Sequence, residues 1–147
     1  MRHHPTAQAI ASVIARRSLA RGPLEAMIDA RYRDLDATPM TEIEALDWAR
    51  DGGGQTAALA AEILDPATPA EFALAAGSAW ALSYRVRETP ALKSAFDRTL
   101  VTARTAARRL SVAAFPAVAH VALALNPGGS EISKRIRLTL AVARGRI

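Results

Sequence analysis

The sequence predicts an all-α protein, and three observations support this prediction. Alanine, leucine and arginine dominate the composition, and all three favour helices. Apolar residues recur at intervals of three and four along most of the chain, as they do on one face of a helix. No alternating pattern typical of a strand is visible. Because the chain has 147 residues without a repeat or a linker-like stretch, we expect one domain over residues 1–147.

Seven helices are expected, and the first three precede residue 65. The first covers residues 5–17 and carries an apolar stripe of Ala7, Ile10, Val13 and Ile14. The second opens at Gly22-Pro23, since a proline at the first helical position needs no amide partner, and it ends near Asp36. The third begins at Thr41, where Glu44 completes a capping box, and continues to Leu64.

Four further helices are predicted in the C-terminal part. The fourth starts with a second capping box, formed by Thr68 and Glu71. The fifth follows Pro90. The sixth is the apolar segment of residues 115–125, interpreted as a buried core helix. Residues 126–129, Asn-Pro-Gly-Gly, then break the chain, and Ser130 caps the last helix.

Charge is distributed unevenly along the chain. Residues 1–84 carry 7 Lys/Arg and 11 Asp/Glu, whereas residues 85–147 carry 12 Lys/Arg and 3 Asp/Glu. The C-terminal part is therefore expected to face phosphates, lipid headgroups or an acidic protein, unless it is only a solvated basic face. Cysteine is absent, which excludes disulfides and thiolate chemistry. No signal peptide or bilayer-length apolar run is apparent, so we expect a cytoplasmic protein, for which a peripheral position at the membrane stays open.

Two motifs on the predicted third helix have both a functional and a structural interpretation. Asp47 and Asp51 lie one turn apart, which suits either a magnesium site or a solvated face shared with Glu44 and Arg50. The three glycines of residues 52–54 destabilise a helix, so they indicate close packing, a kink or the approach of a ligand to the backbone.

Other polar residues favour structural roles. Charges alternate along the second helix, where Asp29 and Arg33 are spaced to form an ion pair. His120 lies in an apolar segment and is expected in the core, not in catalysis. His3-His4 lacks further metal ligands. No nucleophile triad, phosphate loop or dinucleotide motif is present, so no catalytic and no metal-binding residue is assigned.

The last helix is the strongest candidate for an interaction surface. Ile132, Ile136, Leu140, Ala143 and Ile147 form one stripe at 100° per residue. Arg135 and Arg146 flank it on one side, and Arg137 and Arg144 flank it on the other. This pattern is typical of a helix at a membrane surface or on a protein partner, and it also fits a helix that packs into its own core.

Three blocks resemble the squalene/phytoene synthase family in the expected order. They are residues 28–35 (IDARYRDL) with the following helix of residues 41–54, residues 77–88 (GSAWALSYRVRE), and the tail of residues 137–147. The resemblance implies a helical bundle of the isoprenoid synthase type, of which this chain would be an N-terminally truncated form. It also implies an anion-binding cavity to which Arg31, Tyr84, Arg85, Arg87 and Glu88 would contribute.

The chain departs from the family where the family holds magnesium diphosphate. The resemblance places the first aspartate-rich helix upstream of Met1, and Arg87-Glu88 stands where Arg-Asp is usual. Magnesium that bridges a diphosphate needs several oxygen ligands in octahedral geometry. The chain also resembles the divergent branch that includes complex I assembly factors.

We therefore expect a catalytically degenerate family member that acts as an interaction or assembly module, without a cofactor. A second copy or a partner chain is expected to cover the truncated face. The alternative is a magnesium-dependent prenyl transferase whose missing helix comes from a longer chain or a partner. A third hypothesis, nucleic-acid binding through Arg104, Arg108 and Arg109, has little support because aromatic residues for base stacking are few.

Overall fold

The computed structural model describes residues 4–124 and 129–147, and within them all regular structure is helical. A π-helical segment, Arg50–Gly54, joins the third and fourth helices. Short 3-10 turns cover Pro90–Leu92, Phe115–Ala117 and Ala119–Leu123. The α-helices are α1 (Pro5–Arg17), α2 (Arg21–Arg33), α3 (Glu42–Ala49), α4 (Gln55–Leu64), α5 (Glu71–Glu88), α6 (Lys93–Ala107) and α7 (Glu131–Arg144). The all-α prediction is confirmed.

Helix α5 forms the centre of the bundle. It packs against α6, α4, α3 and the π segment. Most of its buried residues are small, and Leu82 is its one large buried side chain; larger buried side chains such as Phe96, Leu100 and Phe115 come from α6 and the chain that follows it. Small side chains allow helix backbones to approach closely, so this core depends on tight helix contacts more than on bulky packing.

Local caps fix the starts of two helices as predicted. Thr41 N donates to Glu44 Oε2 at 2.8 Å, and Glu44 N donates to Thr41 Oγ1 at 3.3 Å. The bond that Thr41 N donates to the Glu44 carboxylate, and next the one that Thr41 Oγ1 donates to it at 2.9 Å, hold the pKa of Glu44 below its ordinary value. Ser130 Oγ accepts from Ser133 N at the start of α7. Helix α2 begins at Arg21, so Pro23 is its third residue, where its missing N–H still costs no helical bond.

The second predicted capping box is wrong. Ala70 precedes α5 without a side-chain cap, because Thr68 is bonded elsewhere. Thr68 Oγ1 and Ser111 Oγ donate to Asp65 Oδ2 at 2.9 and 2.6 Å. Both hydrogen bonds lower the pKa of Asp65, and the bond from the Ser111 hydroxyl has the larger effect. Asp65 thus ties the end of α4 to the chain that follows α6.

Two other helix predictions also need correction. The predicted third helix is divided into α3, the π segment and α4. The predicted core helix of residues 115–125 consists of 3-10 turns as far as Leu123, in which Val118 N donates to Phe115 O and Val121 N donates to Val118 O, each at 3.0 Å. Phe115 is nevertheless buried there. Leu125 and residues 126–128 lie outside the described residues.

Helix α7 packs on the 3-10 turn Ala119–Leu123. Helix α1, in contrast, contributes no buried residue. In the described part of the chain, no helix combines the length and the apolarity that a bilayer-crossing segment requires.

Candidate functional site

A cavity of about 350 Å³ opens where the C-terminal ends of α2 and α5 meet the π segment. We call this cavity the mouth. Four of the five residues predicted to contact an anion lie in its wall, and Arg87 instead lines a neighbouring depression together with Tyr84 and Glu88. The mouth is lined by Arg31, Asp34, Trp48, Gly53, Trp80, Ala81, Tyr84, Arg85 and Glu88.

Arg85 lies between two carboxylates of the mouth. Its Nη2 donates to Asp34 Oδ1, and its Nη1 donates to Glu88 Oε2 at 3.3 Å. Asp34 also accepts from Arg31 Nη1 at 3.0 Å. Two guanidinium groups and two carboxylates therefore balance in formal charge, and each carboxylate is engaged by an arginine.

These residues do not fit the magnesium diphosphate that the family resemblance implies. A divalent cation needs carboxylate oxygens that are free to coordinate it, but one oxygen of Asp34 and one of Glu88 accept from Arg85, and the other oxygen of Asp34 accepts from Arg31. Among the described residues, no group of three or more His, Asp or Glu side chains is placed to hold a metal ion. The Arg85 guanidinium lies between these two carboxylates and supplies positive charge to both.

Aromatic side chains complete the mouth. The Arg85 guanidinium carbon lies 4.6 Å from the ring centroid of Trp48, a cation–π contact that holds the charged group in place. Trp80 packs edge-on to Tyr84 and to His120, each at 5.1 Å between ring centroids. Trp48 Nε1 is buried and has no hydrogen-bond partner among the described residues.

Sequence reasoning missed Trp48, Trp80 and Asp34 as residues of the mouth. The chain has only two tryptophans, and both line this one cavity. In a chain with 5% aromatic residues, their scarcity was the available signal. Their convergence, however, depends on the packing of α3 against α5 and could not be read from spacing.

An apolar groove of about 500 Å³ lies beside the mouth, between α1, α2 and the π segment. Arg31 lines both cavities, so the groove and the mouth meet at this side chain. Such an arrangement suits an amphiphile with an apolar chain and an anionic head. The groove is lined by Ile10, Ile14, Leu24, Met27, Ile28, Arg31, Tyr32, Gly52 and Thr56.

The triple glycine mediates a direct backbone contact between the π segment and α5. A Cβ added to Gly77 would lie 2.0 Å from the carbonyl oxygen of Gly53, and one added to Gly53 would lie 2.5 Å from that of Gly77. We call this contact the glycine seam. Gly52 lies outside it and lines the apolar groove, so close packing explains only part of the triplet.

The other charged motifs form local ion pairs. Arg50 contacts Asp47 Oδ1 at 3.4 Å and Asp51 Oδ1 at 2.9 Å, so a cation already occupies the face between these carboxylates. The hydrogen bond to Asp51 raises the pKa of Arg50 further. The predicted Asp29–Arg33 pair is wrong, because Arg33 turns towards Asp36 instead, at 3.2 Å.

The apolar stripe of α7 faces solvent instead of the core of the described residues. Ile132, Ile136 and Leu140 are all exposed, while Leu138 and Ala141 pack inward. Ile147 leaves the predicted stripe and packs against the core. The reason is Gly145, whose left-handed φ of 57° ends the helix and redirects the chain.

The chain was compared with known proteins in three ways. The family model for squalene/phytoene synthase matches residues 1–100, about two thirds of the chain. Neither the comparison with curated proteins nor that with solved structures gave a match. The matched region contains α1 to α5 and thus all residues that line the mouth and the apolar groove.

Proposed function

Since the chain belongs to the squalene/phytoene synthase family and has its all-α isoprenoid synthase-type fold, we propose that it acts as a binding module, not as a prenyl transferase. The observation that carries this proposal is the position of Arg85 between Asp34 and Glu88. A guanidinium held by two carboxylates and an aromatic ring competes with any divalent cation for the same oxygens. The chain would then use the family scaffold for assembly with a partner.

The proposal is tested first by assay. Purified protein is incubated with farnesyl or geranylgeranyl diphosphate and Mg²⁺, and release of inorganic diphosphate is followed. We expect no release above the protein-free control. Sustained turnover that depends on Mg²⁺ would contradict the proposal.

The role of Arg85 is tested by removing its charge. In Arg85→Gln, the carboxylates of Asp34 and Glu88 lose the cation between them, so the mouth should gain affinity for a trivalent or divalent cation. Terbium binding, detected by luminescence sensitised through the nearby Trp48, should increase about tenfold or more over wild type.

A matched control keeps the change in net charge constant. Arg98 pairs with Glu42 on the surface between α6 and α3, and neither residue lines the mouth. Arg98→Gln should therefore leave terbium luminescence at the wild-type level. Equal luminescence in wild type, Arg85→Gln and Arg98→Gln would show that Arg85 does not stand in for a cation.

An assembly role also requires a partner, and the surface around α1 supports one. This helix buries no residue, and Ile10, Ile28, Tyr32 and Leu35 are exposed on it and on the neighbouring end of α2. A second copy of the chain or another protein would cover these residues. Light scattering after size exclusion should show a dimer, or a complex after co-expression with a partner. A stable, monodisperse monomer that captures no partner would oppose this role.

One observation favours a second candidate, prenyl transfer with an acidic helix supplied from elsewhere. The apolar groove meets the mouth at Arg31, as an isoprenoid diphosphate would require. The two candidates differ in the fate of the bound diphosphate. Calorimetry with farnesyl diphosphate in the absence and presence of Mg²⁺ separates them, because turnover supports the transferase, whereas no binding, or binding without turnover, supports the module.

A further inference from the structure

Helix α7 carries an apolar stripe on the side opposite to its core contacts. Ile132, Ile136 and Leu140 follow one another at intervals of four residues and are 73%, 53% and 41% exposed. Ala141, which is buried, lies about 140° around the helix axis from Ile136, the centre of this stripe. The outer face of α7 therefore presents three large apolar side chains to solvent.

Basic residues border this stripe without acidic partners. Arg135, Arg137, Arg144 and Arg146 form no ion pair with any described residue, and the only acidic residue of α7, Glu131, pairs with Lys134 at 2.7 Å. The excess of positive charge is thus concentrated around exposed apolar area. Neither feature contributes to packing of the described core.

Three of these arginines converge on one groove. The left-handed Gly145 turns the chain back, and Arg146 N donates to Ala141 O at 3.1 Å. Arg146 therefore joins Arg137 and Arg144 on one side of the stripe, instead of flanking the other side as a continuous helix would require. They line a depression of about 300 Å³, which we call the arginine groove, together with Ala122, Leu140 and Ala141.

From this arrangement we infer that α7 docks onto the surface of an anionic lipid bilayer. Ile132, Ile136 and Leu140 enter the boundary between headgroups and acyl chains, and the arginine groove binds lipid phosphates. The stripe stands on a convex helix face with cations at its borders, which matches a plane that is apolar below and anionic above. A second copy docked through the same face would oppose two sets of unpaired arginines, and like charges disfavour that contact. This inference is independent of the chemistry of the mouth.

Vesicle flotation tests the inference with the full chain. The protein should float with vesicles of phosphatidylcholine mixed with phosphatidylglycerol, and about tenfold less with phosphatidylcholine alone. Added salt should reduce flotation, since it screens the arginines. Equal flotation with both vesicle types, or no flotation with either, would overturn the inference.

Variants separate the two parts of the surface. Ile136→Ser with Leu140→Ser, and Arg137→Gln with Arg144→Gln, should each reduce binding to the anionic vesicles about tenfold or more. The charge-matched control is Arg104→Gln with Arg108→Gln, which removes two exposed arginines outside α7, and Val101→Ser removes an exposed apolar side chain of α6. Both controls should bind as wild type does. Thermal unfolding of every variant checks that a loss of vesicle binding is not caused by a loss of folding.

Other occupants of the surface give other results. If light scattering shows a dimer that Ile136→Ser with Leu140→Ser dissociates, α7 is a contact between copies and the inference fails. It also fails if inorganic phosphate at matched ionic strength displaces the protein from vesicles where chloride does not, because the groove then binds a soluble anion. Binding to duplex DNA stronger than to the anionic vesicles would likewise overturn it.

Discussion

At the residue scale, His120 is a half-buried titratable group whose pKa is changed by its surroundings. Its ring stands edge-on to Trp80, a residue of the mouth, and burial lowers the pKa of the imidazole. That His120 has a structural and not a catalytic role stays a prediction. Its contact with Trp80 connects the apolar segment of residues 115–125 to the mouth. A neutral imidazole that is partly buried makes stability depend on pH.

The sign of that dependence is set by the lowered pKa. The unfolded chain binds a proton on His120 near the ordinary pKa of 6.5, whereas the folded chain binds it only at lower pH. The stabilisation is thus complete above pH 6.5 and is lost as pH falls towards the folded pKa. We expect the melting temperature to fall between about pH 7.5 and about pH 5.5, and to fall less in His120→Phe, which keeps an aromatic ring against Trp80. An identical decrease in both proteins would contradict the assignment to His120.

At the scale of elements, the glycine seam is the contact that sets α5 against the π segment. Gly53 and Gly77 meet through backbone atoms, so neither position has a side chain that can move aside. Destabilisation by an added methyl group must therefore come from displacement of whole helices.

Gly77→Ala tests the seam. The added Cβ would lie 2.0 Å from Gly53 O and force α5 away from the π segment, and we expect a loss of about 2 kcal/mol or more in the free energy of unfolding. Gly22→Ala is the control, since a Cβ at Gly22 meets nothing within 4 Å. That variant should be as stable as wild type, or more stable by up to about 0.5 kcal/mol. Urea unfolding measures both, and equal stability of the two variants would exclude a tight seam.

Local chemistry decided which elements could be predicted from the sequence. The caps at Thr41 and Ser130 are formed by residues within three positions, so the pattern contains all participants. At Thr68, Asp65 takes the hydroxyl from three positions away, but Asp65 also accepts from Ser111, 46 residues away, and no local pattern reveals that second contact. The π segment also depends on α5, because Gly53 and Gly54 lie where an added Cβ would meet atoms of that helix.

In the mouth, too, residues that are close in sequence could be predicted, whereas residues brought in by tertiary packing could not. Tyr84, Arg85 and Glu88 lie on one stretch of α5, and the family resemblance was enough to group them. Asp34 and Trp48 reach the mouth only through tertiary packing of α2 and α3. Thus four of the nine residues that line the mouth could be predicted, and the ion pair between Asp34 and Arg85 could not.

For the whole molecule, stability is expected to be uneven. Helix α5 lies in the alanine-rich core, whereas α1 contributes no buried residue. Segments with few buried contacts open with little free energy. Amide hydrogen exchange should therefore be fast along α1 and slow along α5. Protection of α1 comparable to that of α5 in a protein shown to be monomeric would contradict this, while protection that rises with protein concentration would indicate that a second copy covers α1.

The glycine seam also fixes the position of α5, and with it the position of Arg85 in the mouth. Arg85 lies eight residues after Gly77 on the same helix. Helical geometry therefore sets both its direction around the helix axis and its distance along the axis from the seam. Inserting a single residue between them would leave the seam closed but swing the guanidinium by about 100° around the helix axis. The number of residues between Gly77 and Arg85 therefore determines whether the arginine points into the mouth. A homologue in which this number differs by one residue would have to build its cavity from different groups.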